Sequence, residues 1–176
     1  MTKLESLLSL FRKRVPASPA FDPGAEDASN KPLVERRKNE RRNALKGSRA
    51  LLIDDSKTVV ISLRKILVST GYVTFEAFDA ESGIELARAE SPDVIFLDIV
   101  LPGMNGFAAL RALRRDPLTK DIPIIMISSN EQATEQFYGD RIGADDFMKK
   151  PFGREEVFAR LERLLDEDLQ LRRPDQ

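Results

Sequence analysis

Asp54, Asp55, Asp98, Ser128 and Lys150 are the side chains of this sequence whose types and spacing can do chemistry. The 176 residues contain no His and no Cys. That excludes imidazole metal sites, Ser-His-Asp triads, thiolate nucleophiles, disulfides and zinc–thiolate centres. Three carboxylates brought together repel one another unless a cation joins them. An all-oxygen donor set points to Mg²⁺, with Mn²⁺ as the alternative ion. A carboxylate can also act as a nucleophile and form an aspartyl phosphate. Phosphoryl transfer needs positioning and charge neutralisation more than covalent help. Mg²⁺ would neutralise one side of the phosphoryl group, Lys150 another, and the Ser128 hydroxyl would bond a third oxygen. This inventory is complete for phosphoryl transfer to Asp98 and incomplete for the common hydrolases.

The elements that must position these groups begin at Arg49. Apolar runs at 50–53, 73–77, 94–97, 122–127 and 144–148 alternate with helical patterns near 57–70, 80–90, 105–115, 130–141 and 153–168. Strands alternating with helices imply βα units and a parallel sheet. Val94-Ile95-Phe96-Leu97 shows no polar alternation, as expected of a strand covered on both faces. Right-handed crossovers then give a doubly wound α/β fold with ligands bound beyond the carboxyl ends of the strands. Asp54-Asp55, Asp98, Ser128-Ser129 and Lys149-Lys150-Pro151 all fall at those ends.

A different texture precedes Arg49. The net charge of −1 conceals 11 Lys/Arg against 6 Asp/Glu in residues 1–48, and 17 against 23 in residues 49–176. Residues 1–15 read as a short amphipathic helix, docking on a partner or a membrane surface or fraying as a terminus. Residues 16–32 read as a Pro-rich linker. Residues 33–48 read as a basic helical segment stopping near Gly47. No stretch is long and apolar enough to span a membrane and no signal peptide is evident, so a cytoplasmic location is expected.

Residues 50–166 resemble the receiver domain of bacterial two-component response regulators. The matching pieces are Leu51-Leu52-Ile53-Asp54-Asp55-Ser56, Asp98-Ile99-Val100-Leu101-Pro102-Gly103-Met104-Asn105-Gly106, Ser128-Ser129, Gly143-Ala144-Asp145-Asp146-Phe147 and Lys150-Pro151-Phe152. The intervals also agree: 44 from Asp54 to Asp98, 30 on to Ser128 and 22 on to Lys150. The resemblance implies a flavodoxin-like five-stranded sheet of order 2-1-3-4-5 over residues 49–168, ahead of a tail at 169–176. It implies Asp98 as phosphoacceptor and Asp54, Asp55, Asp98 and the Val100 backbone carbonyl as Mg²⁺ ligands. Lys150 would pair with the phosphoryl group, Ser128 would bond it, Phe147 would be the switch aromatic, and the Lys150–Pro151 bond would be cis. Lacking a phenol, Phe147 could switch only through packing. Val100 has no polar side chain to hold an attacking water, so slow self-dephosphorylation is expected.

The partner implied is a sensor histidine kinase. The output implied is protein–protein contact through the face made by the family's fourth and fifth helices and fifth strand. The short C-terminal remainder leads us to expect no sequence-specific DNA binding, and no enzyme in the ordinary sense. The stretch Ser128–Thr134 with Gly143-Ala144-Asp145 is similar to regulators of type IV pilus twitching motility, and single-domain chemotaxis-like regulators fit best. Blander readings exist for each piece. Asp54-Asp55 alone would be a strand-to-helix turn with a cap, Ser128-Ser129 would be helix caps, and Phe147 would be a packed aromatic. Arg36, Arg37, Arg41 and Arg42 read as a solvated helix face. Alternatively they form an anion site resembling the arginine motif of PilZ domains, which would make the chain a cyclic di-GMP adaptor. The companion motif and barrel of those domains are absent.

Overall fold

The computed structural model describes residues 44–129 and 143–174. Five strands and four helices occur among them: β1 (Arg49–Ile53), α1 (Lys57–Val68), β2 (Val73–Ala77), α2 (Ala80–Glu90), β3 (Val94–Asp98), α3 (Gly106–Arg115), β4 (Ile124–Ser128), β5 (Asp146–Lys149) and α4 (Arg154–Arg163). The strands form one sheet of order β2-β1-β3-β4-β5, every pair parallel. This is the doubly wound flavodoxin-like architecture expected from the sequence. The expected helix at 130–141 lies outside the described residues, as do the amphipathic segment 1–15, the linker 16–32 and all of the basic segment before Ala44.

Hydropathy decides which strands are central. Every residue of β3 and β4 is buried, whereas edge strand β2 is largely part-exposed. One face of the sheet packs Leu51, Ile53, Ile95, Leu97, Ile124 and Met126 against α2 and α3. The other packs Leu52, Phe96, Ile125 and Ile127 against α1 and α4. Burial on this scale contributes about 1.5–3 kcal/mol for each large apolar side chain. Helix α1 meets its face with Val60, Leu63 and Leu67, and α4 with Val157, Phe158 and Leu161. Helices α2 and α3 start on side-chain caps: Asp79 accepts from the Ser82 amide at 2.8 Å and Asn105 from the Ala108 amide at 2.9 Å.

Several boundaries differ from the sequence reading. Residues 44–48 form a turn, not the end of a helix. Ser48 bonds the Leu45 carbonyl through both its amide and its hydroxyl, and Gly47 has φ +90°. Strand β4 starts at Ile124 instead of Ile122, because Pro123 has no amide and the Ile122 carbonyl is taken by Arg114 at 2.7 Å. Strand β5 starts at Asp146 instead of Ala144. Helix α4 stops at Arg163, not 168. Beyond it the Asp166 carboxylate accepts from the amides of Asp168 and Gln170 at 2.9 Å each, and Leu169 turns to φ +61°. The segment after α4 is thus a folded hook, its Leu165 and Leu171 bridged and packed on the core.

The start of α3 is fixed by a close approach. A Cβ on Gly106 would lie 2.1 Å from the Asp98 carbonyl oxygen and 2.7 Å from Ile99 Cα, both backbone atoms. In a helix Ala would be favoured over Gly by about 1 kcal/mol. A methyl forced into backbone costs about 2–3 kcal/mol and outweighs that. Gly106→Ala is therefore expected to lower unfolding free energy by about 1–2 kcal/mol, the difference between those costs. Urea denaturation reads this, and a neutral or stabilised variant would refute the tight packing.

Candidate phosphoacceptor and metal site

The register of the sheet assembles the site. Ile53 pairs with Leu97, so Asp54 leaves β1 beside Asp98 at the end of β3. Asp98 pairs with Ile127, and Ser128 pairs with Lys149, one residue before Lys150. Four of the five residues singled out above therefore reach one end of the sheet because parallel strands end together, and Asp55 follows Asp54 there.

Carboxylate oxygens of Asp54, Asp55 and Asp98 all lie within 4.8 Å of one another. Asp54 and Asp98 are 1% and 3% exposed, while Asp55 is exposed. Lys150 Nζ donates to Asp98 Oδ2 at 2.9 Å and stands 2.7 Å from Asp54 Oδ2. The second contact is an ion pair whose direction falls outside hydrogen-bond geometry, which leaves Asp54 Oδ2 a buried acceptor without a hydrogen bond. The other oxygen, Oδ1, accepts from the Ser56 amide at 2.9 Å in a two-residue turn. Asp54 is thus not the helix cap of the blander reading. Ser56 occupies that position.

Electrostatics marks Asp98 as unusual. Burial pushes its carboxyl above the ordinary carboxylate value, Asp54 adds to the rise, and the bonds from Lys150 and the Val100 amide oppose it. Burial pulls Lys150 down, but its contacts with the Asp54 and Asp98 carboxylates outweigh that and leave the ammonium raised. The site therefore holds a protonated lysine between buried carboxylates. Three acidic side chains against one ammonium is a donor set that fits a hard divalent cation: all oxygen and partly open through Asp55. Among the described residues this is the one such acidic cluster.

The remaining expected residues take these places. Ser128 is fully buried at the end of β4. Phe147 is buried in the α2/α3 face with Leu97 and Met126. Val100 is 54% exposed beside Asp98. The Lys150–Pro151 bond is cis. Arg36, Arg37, Arg41 and Arg42 lie outside the described residues. Two features escaped the sequence reading. Gly106 packs on the Asp98 backbone, which only its place in the turn hinted at. Arg114, Asp145 and Arg173 meet in an ion network (Arg114 Nη2 to Asp145 Oδ2 at 2.6 Å, Arg173 Nε to Asp145 Oδ1 at 2.8 Å) that no local spacing announces.

Comparison with known proteins gives the same picture. Residues 50–162 match the model of the response regulator receiver domain. The chain is 38% identical over 118 residues to Protein PilH of Pseudomonas aeruginosa, covering 67% of this chain and 98% of that protein. It is 39% identical over 117 residues to the DNA-binding dual master transcriptional regulator RpaA of Synechocystis, covering 66% of this chain but only 48% of that regulator. Among solved structures, the chemotaxis protein CheY4 of Vibrio cholerae aligns with TM-score 0.62 at 28% identity, over 68% of this chain and 99% of that one. The receiver domain of a Pseudomonas aeruginosa sensor histidine kinase, with a magnesium ion coordinated in its active site cleft, aligns with TM-score 0.61 at 27% identity, over 66% and 96% of the two chains.

Removing Lys150 tests the electrostatics. In Lys150→Met, Asp54 and Asp98 face each other unpaired, and breaking a buried pair costs about 3–5 kcal/mol. Loss of the ammonium raises the Asp98 carboxyl further, and a raised folded-state value means that the folded protein binds the extra proton. The variant is therefore most stable in acid and loses stability as pH rises through that value. Its melting temperature, relative to the parent, is expected to be lower at pH 7.5 than at pH 5. A deficit independent of pH would refute the arrangement. For the parent, Mg²⁺ at ten times its dissociation constant is expected to add about 1.4 kcal/mol of stability, and Asp54→Asn to abolish the gain.

Proposed function

This chain belongs to the response regulator receiver domain family, and on that premise we propose that it signals by accepting a phosphoryl group on Asp98 from a sensor histidine kinase. The observation that carries the assignment is the Lys150 ammonium, held 2.9 Å from Asp98 and 2.7 Å from Asp54 within the acidic cluster. Phosphorelay signalling is the activity of the family, and receivers bind Mg²⁺ at their acidic pocket. In this chain Asp54, Asp55, Asp98 and the Val100 carbonyl would hold the ion, and Mn²⁺ fits the same donors. When bound, the ion supplies positive charge to the phosphoryl oxygens.

The residues divide the work as follows. An Asp98 carboxylate oxygen forms the new bond to phosphorus, and the phosphorus–nitrogen bond of the donor breaks. The bonding pair leaves with the imidazole nitrogen. Asp98 is buried, so its anion is poorly solvated and close at hand when a donor enters. As charge shifts onto the phosphoryl oxygens, Lys150 can exchange its carboxylate bonds for a bond to one of them. Ser128 supplies a hydroxyl at the neighbouring strand end. A groove of about 360 Å³ opens beside Lys150, lined by Thr58, Val59, Ser129, Pro151 and Phe152, which supports approach of a partner on that side.

Output would be protein–protein contact, with Phe147 repacking as the Ser128 hydroxyl moves. A chemotaxis-like or type IV pilus motility pathway is supported by the match to nearly the whole of Protein PilH and by the likeness to a chemotaxis protein. Among the described residues no helix is long and apolar enough to cross a membrane.

Intact mass after incubation with acetyl phosphate and Mg²⁺ tests the assignment. One phosphoryl adduct is expected on the parent, none on Asp98→Asn, and none when a chelator is present. An adduct on Asp98→Asn would place the acceptor elsewhere. The exposed apolar Val100 beside Asp98 gives a second expectation. The adduct should decay slowly, and Val100→Asn, which adds an amide able to hold water, should speed the decay several-fold. A parent half-life of seconds would count against this.

A further inference from the structure

The stretch that matches the receiver family ends at residue 162, yet the fold does not. Residues 164–173 turn back on the domain. The Arg172 amide bonds the Leu164 carbonyl at 2.8 Å, Leu165 and Leu171 pack on the α1/α4 face, and Arg173 reaches across to the entry of β5. There its Nε donates to Asp145 at 2.8 Å, while Nη1 and Nη2 reach the carbonyls of Lys120 and Gly143 at 3.3 and 3.4 Å.

The carboxylate it holds is buried and crowded. Asp145, with a side chain 2% exposed, also binds Arg114 at 2.6 Å and accepts from the Ile124 amide at 2.7 Å. Burial pulls the Arg114 guanidinium down to about 10, with Asp145 opposing. One anion thus ties the end of α3, the start of β4 and the C-terminal hook to the residue that precedes β5. That strand is only four residues long and pairs with β4 alone. Its upper end runs directly into Lys150.

We propose that the C-terminal hook is a working part of the receiver, with Arg173 a positioning residue that holds β5, and through it Lys150, in place for phosphoryl transfer. The proposal deepens the Asp98 reading and rests on it. It makes the C-terminal hook, which lies beyond the family-matched stretch, a handle on the chemistry at the opposite end of β5.

Arg173→Ala tests this in the full chain, with Arg172→Ala as the control. Among the described residues Arg172 pairs within the hook, with Asp166 and Gln170. Arg114 still partners Asp145 in Arg173→Ala, so the variant should fold. Should it not, Arg173→Lys keeps the charge and loses the fork to the two carbonyls. Three readouts separate positioning from bulk stability: hydrogen exchange of the β5 amides, the phosphorylation rate from acetyl phosphate at saturating Mg²⁺, and the Mg²⁺ dissociation constant. Arg173→Ala is expected to speed β5 exchange about tenfold. It should slow phosphorylation at least about threefold and leave Mg²⁺ binding by Asp54, Asp55 and Asp98 unchanged. Arg172→Ala should change none of these. Faster β5 exchange with an unchanged phosphorylation rate would overturn the proposal, as would no change in either. If the parent takes no phosphoryl group, the Asp98 reading fails, while β5 exchange still decides whether Arg173 holds the strand.

Discussion

The contact between the Lys150 ammonium and the two buried carboxylates, Asp54 and Asp98, governs the rest of this structure. Two anions at the end of a close-packed sheet are unfavourable in a medium that solvates charge poorly. The protein answers with one cation from the far side of the sheet, and that answer dictates topology. Lys150 must arrive at the carboxyl end of β5, Asp98 at the end of β3 and Asp54 at the end of β1. Parallel pairing with helical crossovers delivers all three to one rim. The arrangement also leaves charge uncancelled, since Asp55 adds a third acid to the cluster. An incomplete balance of this kind would suit the proposed function, in which the site admits a divalent cation and a phosphoryl group and then releases them. A fully neutralised core pair would have no use for either.

How much of this the sequence disclosed follows from how local the physics is. Burial on both faces leaves a run of apolar residues with no polar interruption, so β3 and β4 could be read from Val94–Leu97 and from the Ile-rich stretch before Ser128. Polar and charged residues at strand ends stand out against those runs, so their convergence on one end of the sheet was legible together with the fold. The ends of elements were less so. Pro123 inside the expected fourth strand was a visible warning, because it has no amide to give. The stop of α4 was not visible. Nothing in Leu164-Leu165-Asp166-Glu167-Asp168 forbids a helix, and only the Asp166 carboxylate capturing two later amides ends it. The Arg114–Asp145–Arg173 network was beyond local reasoning. Its members lie 31 and 28 residues apart, and each alone resembles an ordinary surface charge.

The same contrast separates the two ends of β5. Its upper end is set by the chemistry of the site. Its lower end is set by ion pairs that do not touch the acidic cluster: Asp145 with Arg114 and Arg173, and Asp146 with Arg160 at 3.2 Å. A four-residue edge strand buries little apolar surface of its own, with Phe147 and Met148 its only fully enclosed side chains. Charge pairing at both ends supplies what packing cannot, and it makes the strand a rigid link between distant groups. Surface ion pairs contribute little to stability, because water screens them and ordering long side chains costs entropy. Asp145 is not of that kind. With its carboxylate enclosed, leaving it unpaired would carry the full cost of desolvation, so the fold holds on to at least one of its two arginines. That surplus is why removing Arg173 is expected to loosen the strand without unfolding it, since Arg114 keeps the anion paired.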